Sequence, residues 1–413
     1  MLRPATRASE RSSVGYARVS MGPTLEVCQA IVSKVGSRSD LASLCRVSKG
    51  FHTFAERGLY NTLHMGDIQG TLQLCKSLAN NHRIALLVYA LTLYAAVTEE
   101  ESEESSDFEG EEESCHELPD EYWSSVAGAL AQATNLRYLN MHITSNTSAN
   151  VAWTLDNCTF QLQGFHCDLS WNDHLVSFLN RQRKLSDLYL LDYSDVGDPL
   201  APTSSPSTTA TTQALSTSSL SLDPTAFPHL SILECTFSEA ALAMIPQRPV
   251  TRLKTCFSRT RLEEKKEEAT ILLSKVRQST RYIRSLDIGD SEYTTAFSME
   301  LLSLITSSPA TSSELRYLGT LFLPISGTQR LQFYGLLMRL PRIRCVEVEI
   351  SDWTPPPSSP PAFRALASEM RLYTPSVTRI VFVQNFERTI VTVVDGVCKM
   401  DRDTNYKALW RET

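Results

Sequence analysis

Two rhythms of apolar residues alternate along the chain. Ten stretches open with two large aliphatic residues three apart and run on as short β-rich segments: IALLVYALTL, LRYLNMHI, LQGFHCDL, LSDLYLLDY, LSILECTF, VTRLKTCF, IRSLDIG, LRYLGTLFL, IRCVEVEI and VTRIVFV. They begin at Ile84, Leu136, Leu162, Leu185, Leu230, Val250, Ile283, Leu315, Ile343 and Val377. Such runs predict strands. Between them, EYWSSVAGALAQAT, DHLVSFLNRQRK, EEKKEEATILLSKVRQST and GTQRLQFYGLLMRLP carry apolar residues at three- and four-residue spacing and predict helices. In the third of these, Ile271, Leu272, Lys275 and Val276 mark the change from buried to solvated side.

The starts of the strand-like segments lie 20 to 52 residues apart, and the two widest gaps hold segments without either rhythm. Without those insertions the period falls to roughly 20 to 35 residues, the range of leucine-rich repeats. The repeats are degenerate and lack the usual Asn. One helix and one strand cannot bury both apolar faces alone, so the expected fold class is an α/β solenoid, an irregular leucine-rich-repeat-like horseshoe with a parallel sheet and helices outside it. TIVTVVDGVCKM near the carboxyl end predicts a hairpin with Asp395 and Gly396 in the turn, capping the exposed edge.

Three segments are expected to be unstructured: an acidic insertion at 99–117, a Ser/Thr-rich insertion at 200–225, and TPPPSSPP from Thr354. Each holds too little apolar surface to offset its ordering entropy. Residues 1–20, with four arginines and one acid, read as a disordered N-terminus, a transit peptide being the alternative; they lack the apolar core of a secretory signal.

Residues 21–65 form a separate helical domain ahead of the repeat domain at 66–413. TLEVCQAIVSKV sets Leu25, Cys28, Ile31, Val32 and Val35 on one helical stripe. After GSRSD, Ser39 or Asp40 is expected to cap a second helix with Leu41, Leu44, Cys45 and Val47 as its apolar set, interrupted at Gly50. Phe51, Phe54 and Ala55 predict a third. Three short helices bury too little to be self-sufficient, so their exposed apolar sides predict a partner.

DLASLCRVSKGFHTFAERGLYNTL, from Asp40 to Leu63, resembles the D-L-x-x-L-x-x-V-x-x-x-F-x-x-x-A-x-x-x-L-Y pattern of the F-box family, with Glu26, Val27, Ile31 and Val35 matching its first helix. The family usually opens on Leu-Pro before the acidic residue; here the positions read PTLE, with Pro23 displaced. The chain resembles in particular the fungal-type members in which the three-helix F-box precedes leucine-rich-like repeats. The resemblance implies a substrate-recognition adaptor of a Skp–cullin–F-box E3 ubiquitin ligase. Its box would dock on a Skp-type adaptor, and through it a cullin, by way of Val27, Ile31, Val35, Leu41, Leu44, Val47 and Phe51. The repeats would hold a protein substrate, and the chemistry would belong to other subunits. The alternative is a leucine-rich-repeat-like interaction scaffold without a ubiquitin-ligase role.

Charge changes this picture little. The net charge is −7, but residues 99–113 hold ten acids and no base, leaving about +3 elsewhere. Arg181, Arg183 and Lys184, or Arg339, Arg342 and Arg344, read as solvated ends of elements, and no nucleic-acid partner is expected. Ser106, followed by Asp107 and Glu109, is a candidate phosphosite of acidophilic kinases.

Candidate chemistry is sparse. Ten scattered cysteines without a C-x-x-C pair suit reduced thiols of an intracellular protein, cytoplasmic and/or nuclear. Cys158, His166 and Cys167 form the one Cys/His cluster and lack a second half, so neither metal nor cofactor is expected. The longest apolar run, from Ile84, is 14 residues, too short for a bilayer core of about 30 Å, and no membrane role is expected. Nucleophile-elbow, phosphate-loop, dinucleotide and H-E-x-x-H motifs are missing, so the chain is not expected to be an enzyme. Ser291 in IGDSEY has no matched Asp/His pair and reads as part of a strand-end turn capped by Asp290.

Overall fold

A computed structural model describes residues 23–95, 118, 121–143, 151–193, 222–290, 292 and 294–413. The acidic insertion, the leading twenty residues, Ser106 and Ser291 lie outside the described residues. The chain divides into two compact units at Asn61/Thr62.

The first unit holds three helices, α1 (Leu25–Val32), α2 (Arg38–Leu44) and α3 (Lys49–Tyr60). The cap of α2 is Ser37, whose hydroxyl accepts from the Asp40 N–H at 3.3 Å, and not Ser39 or Asp40, which stand inside the first turn. Ser48 caps α3 in the same way through the Phe51 N–H. Gly50 therefore begins the third helix rather than breaking the second. It matters by its size: a Cβ there would lie 3.4 Å from the Cys28 sulfur, and at Gly58 one would lie 3.4 Å from Leu41, so two glycines let α3 approach its neighbours closely.

The second unit is a mixed α/β structure around one open sheet of 13 strands, hydrogen-bonded in sequence order. The strands are β1 (Thr62–Met65), β2 (Ala90–Ala95), β3 (Tyr138–Ile143), β4 (Gly164–Cys167), β5 (Asp187–Leu190), β6 (Ile232–Phe237), β7 (Arg252–Cys256), β8 (Ser285–Gly289), β9 (Tyr317–Phe322), β10 (Cys345–Glu349), β11 (Arg379–Gln384), β12 (Glu387–Val394) and β13 (Val397–Asp401). Neighbours from β1 to β11 pair in parallel; β12 and β13 are antiparallel additions. The helices of this unit are α4 (Ile68–Asn80), α5 (His82–Ala85), α6 (Glu121–Gln132), α7 (Asp173–Asn180), α8 (Ser238–Met244), α9 (Leu262–Val276), α10 (Thr295–Thr306), α11 (Pro309–Ser312), α12 (Gly327–Leu337), α13 (Pro360–Tyr373) and α14 (Leu409–Glu412).

Nine of the ten predicted strand segments share one local geometry. Their first aliphatic residue sits two positions ahead of the strand, and from Leu136 to Val377 all nine are fully buried. So is the apolar residue three positions on, aliphatic in every case but Phe165 of β4: Leu139, Phe165, Leu188, Leu233, Leu253, Leu286, Leu318, Val346 and Ile380. In a continuous strand, residues three apart point to opposite faces, so both can be buried on one side only if the chain bends between them. The bend is made at the residue after the first aliphatic. Its carbonyl accepts two N–H groups from the next segment: Arg137 from Gln163 and Gly164, Ser186 from Ser231 and Ile232, Arg316 from Arg344 and Cys345. The same paired bonding recurs from Tyr89 through Arg344 and ties each segment to the next.

The exception is the first segment. Ile84 lies in α5, and the residue in the equivalent place is Val88, buried two positions ahead of β2. β1 was hidden inside the 21–65 helical domain; it pairs with β2 and belongs to the sheet unit.

The predicted hairpin joins β12 to β13 with Asp395 and Gly396 at φ +53° and +79°, as a tight turn requires. A second turn of this kind, at Asn385 and Phe386, joins β11 to β12. TPPPSSPP is only partly loop, because Pro360 and Pro361 open α13, where a missing N–H costs nothing. The end of the 200–225 insertion is held as well: Asp223 donates to the Asn180 side chain at 2.8 Å, and Arg183 donates to the Thr225 carbonyl at 2.6 Å. Among the described residues no helix is long and apolar enough to cross a membrane.

Candidate docking surfaces

Successive residues of a helix lie about 100° apart, so on α1 the apolar residues from Val27 through Ile31, Cys28 and Val32 to Leu25 sweep an arc of about 160°. The unit's own core uses only the middle. Cys28 and Val32 meet Leu41, Phe51 and Ala55, with Val35, Leu44, Cys45, Phe54 and Leu59 packed part-buried around them. The two flanks of the arc stay outside: Leu25 is 60 % exposed, Val27 46 % and Ile31 43 %. Val47, just ahead of α3, is 64 % exposed.

The seven predicted adaptor-contact residues therefore separate into three groups. Val27, Ile31 and Val47 offer apolar surface to solvent. Val35 and Leu44 are half-buried against the core. Leu41 and Phe51, at 7 % and 8 % exposure, are core residues and present almost nothing to a partner. Leu25 was read as part of the buried stripe and is an additional surface residue; its side chain lies against Gly50, close in sequence to Val47. Glu26 stands in the first turn of α1, where its own backbone N–H, then the Thr24 hydroxyl, lower its pKa.

On the sheet unit, the face away from the alternating buried residues differs between its two halves. Over β2–β5 it is aromatic and polar: Tyr94 stacks on His142 at 5.2 Å, Tyr138 donates to the Gln163 side chain at 3.0 Å, and His166 lies 3.3 Å from Asp187. Tyr94 and Tyr138 are exposed. The ring of Tyr138 lies over Gly164, where a Cβ would come within 2.9 Å.

Beyond β5 the face is covered by the chain itself. Leu409 and Trp410 of α14 are buried in a cluster with Tyr317, Cys345, Val381 and Ile390. Arg411 bridges Asp187 of β5 and Glu234 of β6. Beside this strap, Glu347 of β10 accepts from the Tyr317 and Thr320 hydroxyls and from Arg388. Asp287 stands at the same level of β8, with Gly319 between them; a Cβ on Gly319 would run into the Asp287 carboxylate. Burial first, then the Glu347 charge, push the Asp287 pKa up to about 7, against the opposing pull of Lys254 and Arg388.

The Cys158/His166/Cys167 cluster does not converge. His166 and Cys167 are adjacent on β4 and so face opposite sides of the sheet. Burial raises both thiols to about 12, which keeps them protonated and unsuited to ligating a metal. Among the described residues no group of three His, Cys, Asp or Glu side chains is placed to hold a metal ion. Asp290 caps the strand-end turn by accepting the Glu292 N–H at 3.1 Å, and it also forms a buried ion pair with Lys265. No protein-family model matches this chain, and no curated protein matches it.

Proposed function

We propose that the helical unit is an F-box-like docking module and that the protein is a substrate-recognition adaptor of a Skp–cullin–F-box ubiquitin ligase. The observation that carries the reading is the surplus on α1. A unit of three short helices completes its core with Cys28, Val32, Leu41, Phe51 and Ala55, and still keeps Leu25, Val27, Ile31 and Val47 in water. Nothing in the unit's own stability calls for those four side chains, and apolar surface of this kind is what a desolvated protein contact uses.

In this reading the sheet unit is a leucine-rich-repeat-like solenoid that presents a bound protein to the ligase. The bend-and-strand unit repeated from Leu136 to Val377 and the in-order parallel sheet support it. The uncovered aromatic half of the face, around Tyr94, Tyr138 and His142, is the kind of surface that protein interfaces favour.

The test is co-purification of a Skp-type adaptor with the full chain and with Val27→Asp/Ile31→Asp, using Ser43→Asp, an exposed polar site on α2, as control. The expected result is capture by wild type and control and a loss of at least about tenfold in the double variant. Equal capture by all three removes the interface. If none captures the adaptor, the protein is an interaction scaffold with no ligase role.

A further inference from the structure

The sheet lines up five arginines that the sequence keeps 28 to 35 residues apart. Arg284, Arg316 and Arg344 each occupy the bend position ahead of β8, β9 and β10, while Arg252 and Arg379 are the first residues of β7 and β11. Backbone bonds fix the row: the Arg316 N–H donates to the Arg284 carbonyl at 2.7 Å, Arg344 to Arg316 at 2.8 Å, and Arg379 to Arg344 at 2.9 Å. With parallel strands about 4.8 Å apart, the row is about 19 Å long.

Among the described residues none of the five forms an ion pair, and only the charge of Asp187 acts favourably on Arg252. Four nearby carboxylates are engaged by other cations: Glu234 by Lys254 and Arg411, Asp187 by Arg411, Glu314 by Arg342 and Glu347 by Arg388. The Nε atoms of Arg252 and Arg379 are buried without a hydrogen-bond acceptor, so these two guanidinium groups have unspent donor capacity. Burial, then the charges of Arg284 and Arg316, lower the Arg252 pKa. Two open cavities lie along the row. One, of about 430 Å³, is lined by Thr251, Arg281, Tyr282, Arg284 and Glu314; the other, of about 290 Å³, by Arg344, Thr378, Arg379, Thr392 and Glu412.

We propose that this arginine row is a binding site for a carboxylate-rich polypeptide segment of a partner protein. A guanidinium group donates two parallel hydrogen bonds to one carboxylate, and a chain laid along the row places several carboxylates in succession. A nucleic-acid strand fits less well. Glu412 lines one of the cavities, and Glu314, although paired with Arg342, lines the other, so a backbone charged at every residue meets a carboxylate at both places, whereas a peptide can put neutral side chains there. Tyr282 is the single aromatic side chain lining either cavity, so there is no stacking platform for bases. The site belongs to the sheet unit and does not depend on what the helical unit docks on.

The experiment is a fluorescence-anisotropy titration of the full chain with a labelled peptide of about eight residues in which glutamate alternates with serine, and with an oligodeoxythymidine of equal charge. Expected is binding of the peptide that weakens as salt is raised, and a loss of about tenfold or more in Arg284→Glu/Arg316→Glu/Arg344→Glu, since each charge-assisted bond is worth on the order of tenfold. The variant Arg284→Gln/Arg316→Gln/Arg344→Gln, which removes charge and keeps side-chain bulk, carries the same expectation and stands in if the charge reversal lowers the melting temperature. No binding by wild type, undiminished binding by the glutamine variant, or tighter binding of the oligonucleotide than of the peptide would each overturn the proposal.

Discussion

The two units handle apolar surface in opposite ways. In the sheet unit, the face not used by the buried strand residues could have been left apolar over β8–β11, and the chain spends Leu409, Trp410 and a hairpin to cover it. In the helical unit, α1 has more apolar arc than its core needs, and no residue of the unit covers Leu25, Val27 or Ile31. Apolar side chains that folding buries and apolar side chains that it leaves in water can thus be told apart within one chain. The test is whether removing the side chain costs stability or only association.

The largest expected effect is on the covered face. Trp410→Ala should cost the sheet unit about 3–5 kcal/mol, the usual loss for an aromatic side chain removed from a packed cluster, read as a lower urea midpoint of that unit with the helical unit's transition unchanged. If the midpoint does not move, the strap is an attachment and the contrast between units fails. Next, Leu41→Ala should cost the helical unit about 2–3 kcal/mol, a large fraction of what so small a unit possesses, and loss of its helical circular dichroism is the readout.

A smaller effect is pH-dependent. Because the Asp287 pKa is raised from 3.8 to about 7, the folded sheet unit holds a proton that the unfolded chain releases. Its stability contribution is full below pH 3.8 and is lost as pH rises through about 7. Asp287→Asn should therefore leave the melting temperature at pH 4 nearly unchanged and raise it by about 2 °C or more at pH 8. An equal shift at both values would assign the effect to packing over Gly319 instead. The smallest expected change is at the exposed flank: Val47→Ser should alter helical-unit stability by no more than about 0.5 kcal/mol, and a larger loss would move Val47 from the docking surface into the core.

Much of the sheet was legible because its signal is local. Two aliphatic residues three apart, both buried, mark each bend and strand within four positions, and the four quoted helices fall where their spacing put them. β1 escaped because four residues with two apolar side chains, Leu63 and Met65, continue a helical domain without a break in pattern. Ile84 and Val88 are indistinguishable by pattern because α5 and β2 join into one continuous apolar run. On α1 the stripe was visible, but which edge of a 160° arc faces inward depends on where α2 and α3 approach, and that is set by Leu41, Gly50 and Gly58 rather than by α1 itself. The arginine row and the strap were beyond reach: their members are neighbours only after the strands have stacked.

The link from Arg411 back to Asp187 spans 224 residues. At a synthesis rate of about 5–20 residues per second, a ribosome needs roughly 10 to 45 s to travel that length. During that interval the nascent strands β5 and β6 carry Asp187 and Glu234 without the Arg411 bridge and the slot for Trp410 stands vacant, so this face of the sheet cannot close until residue 411 has emerged from the exit tunnel.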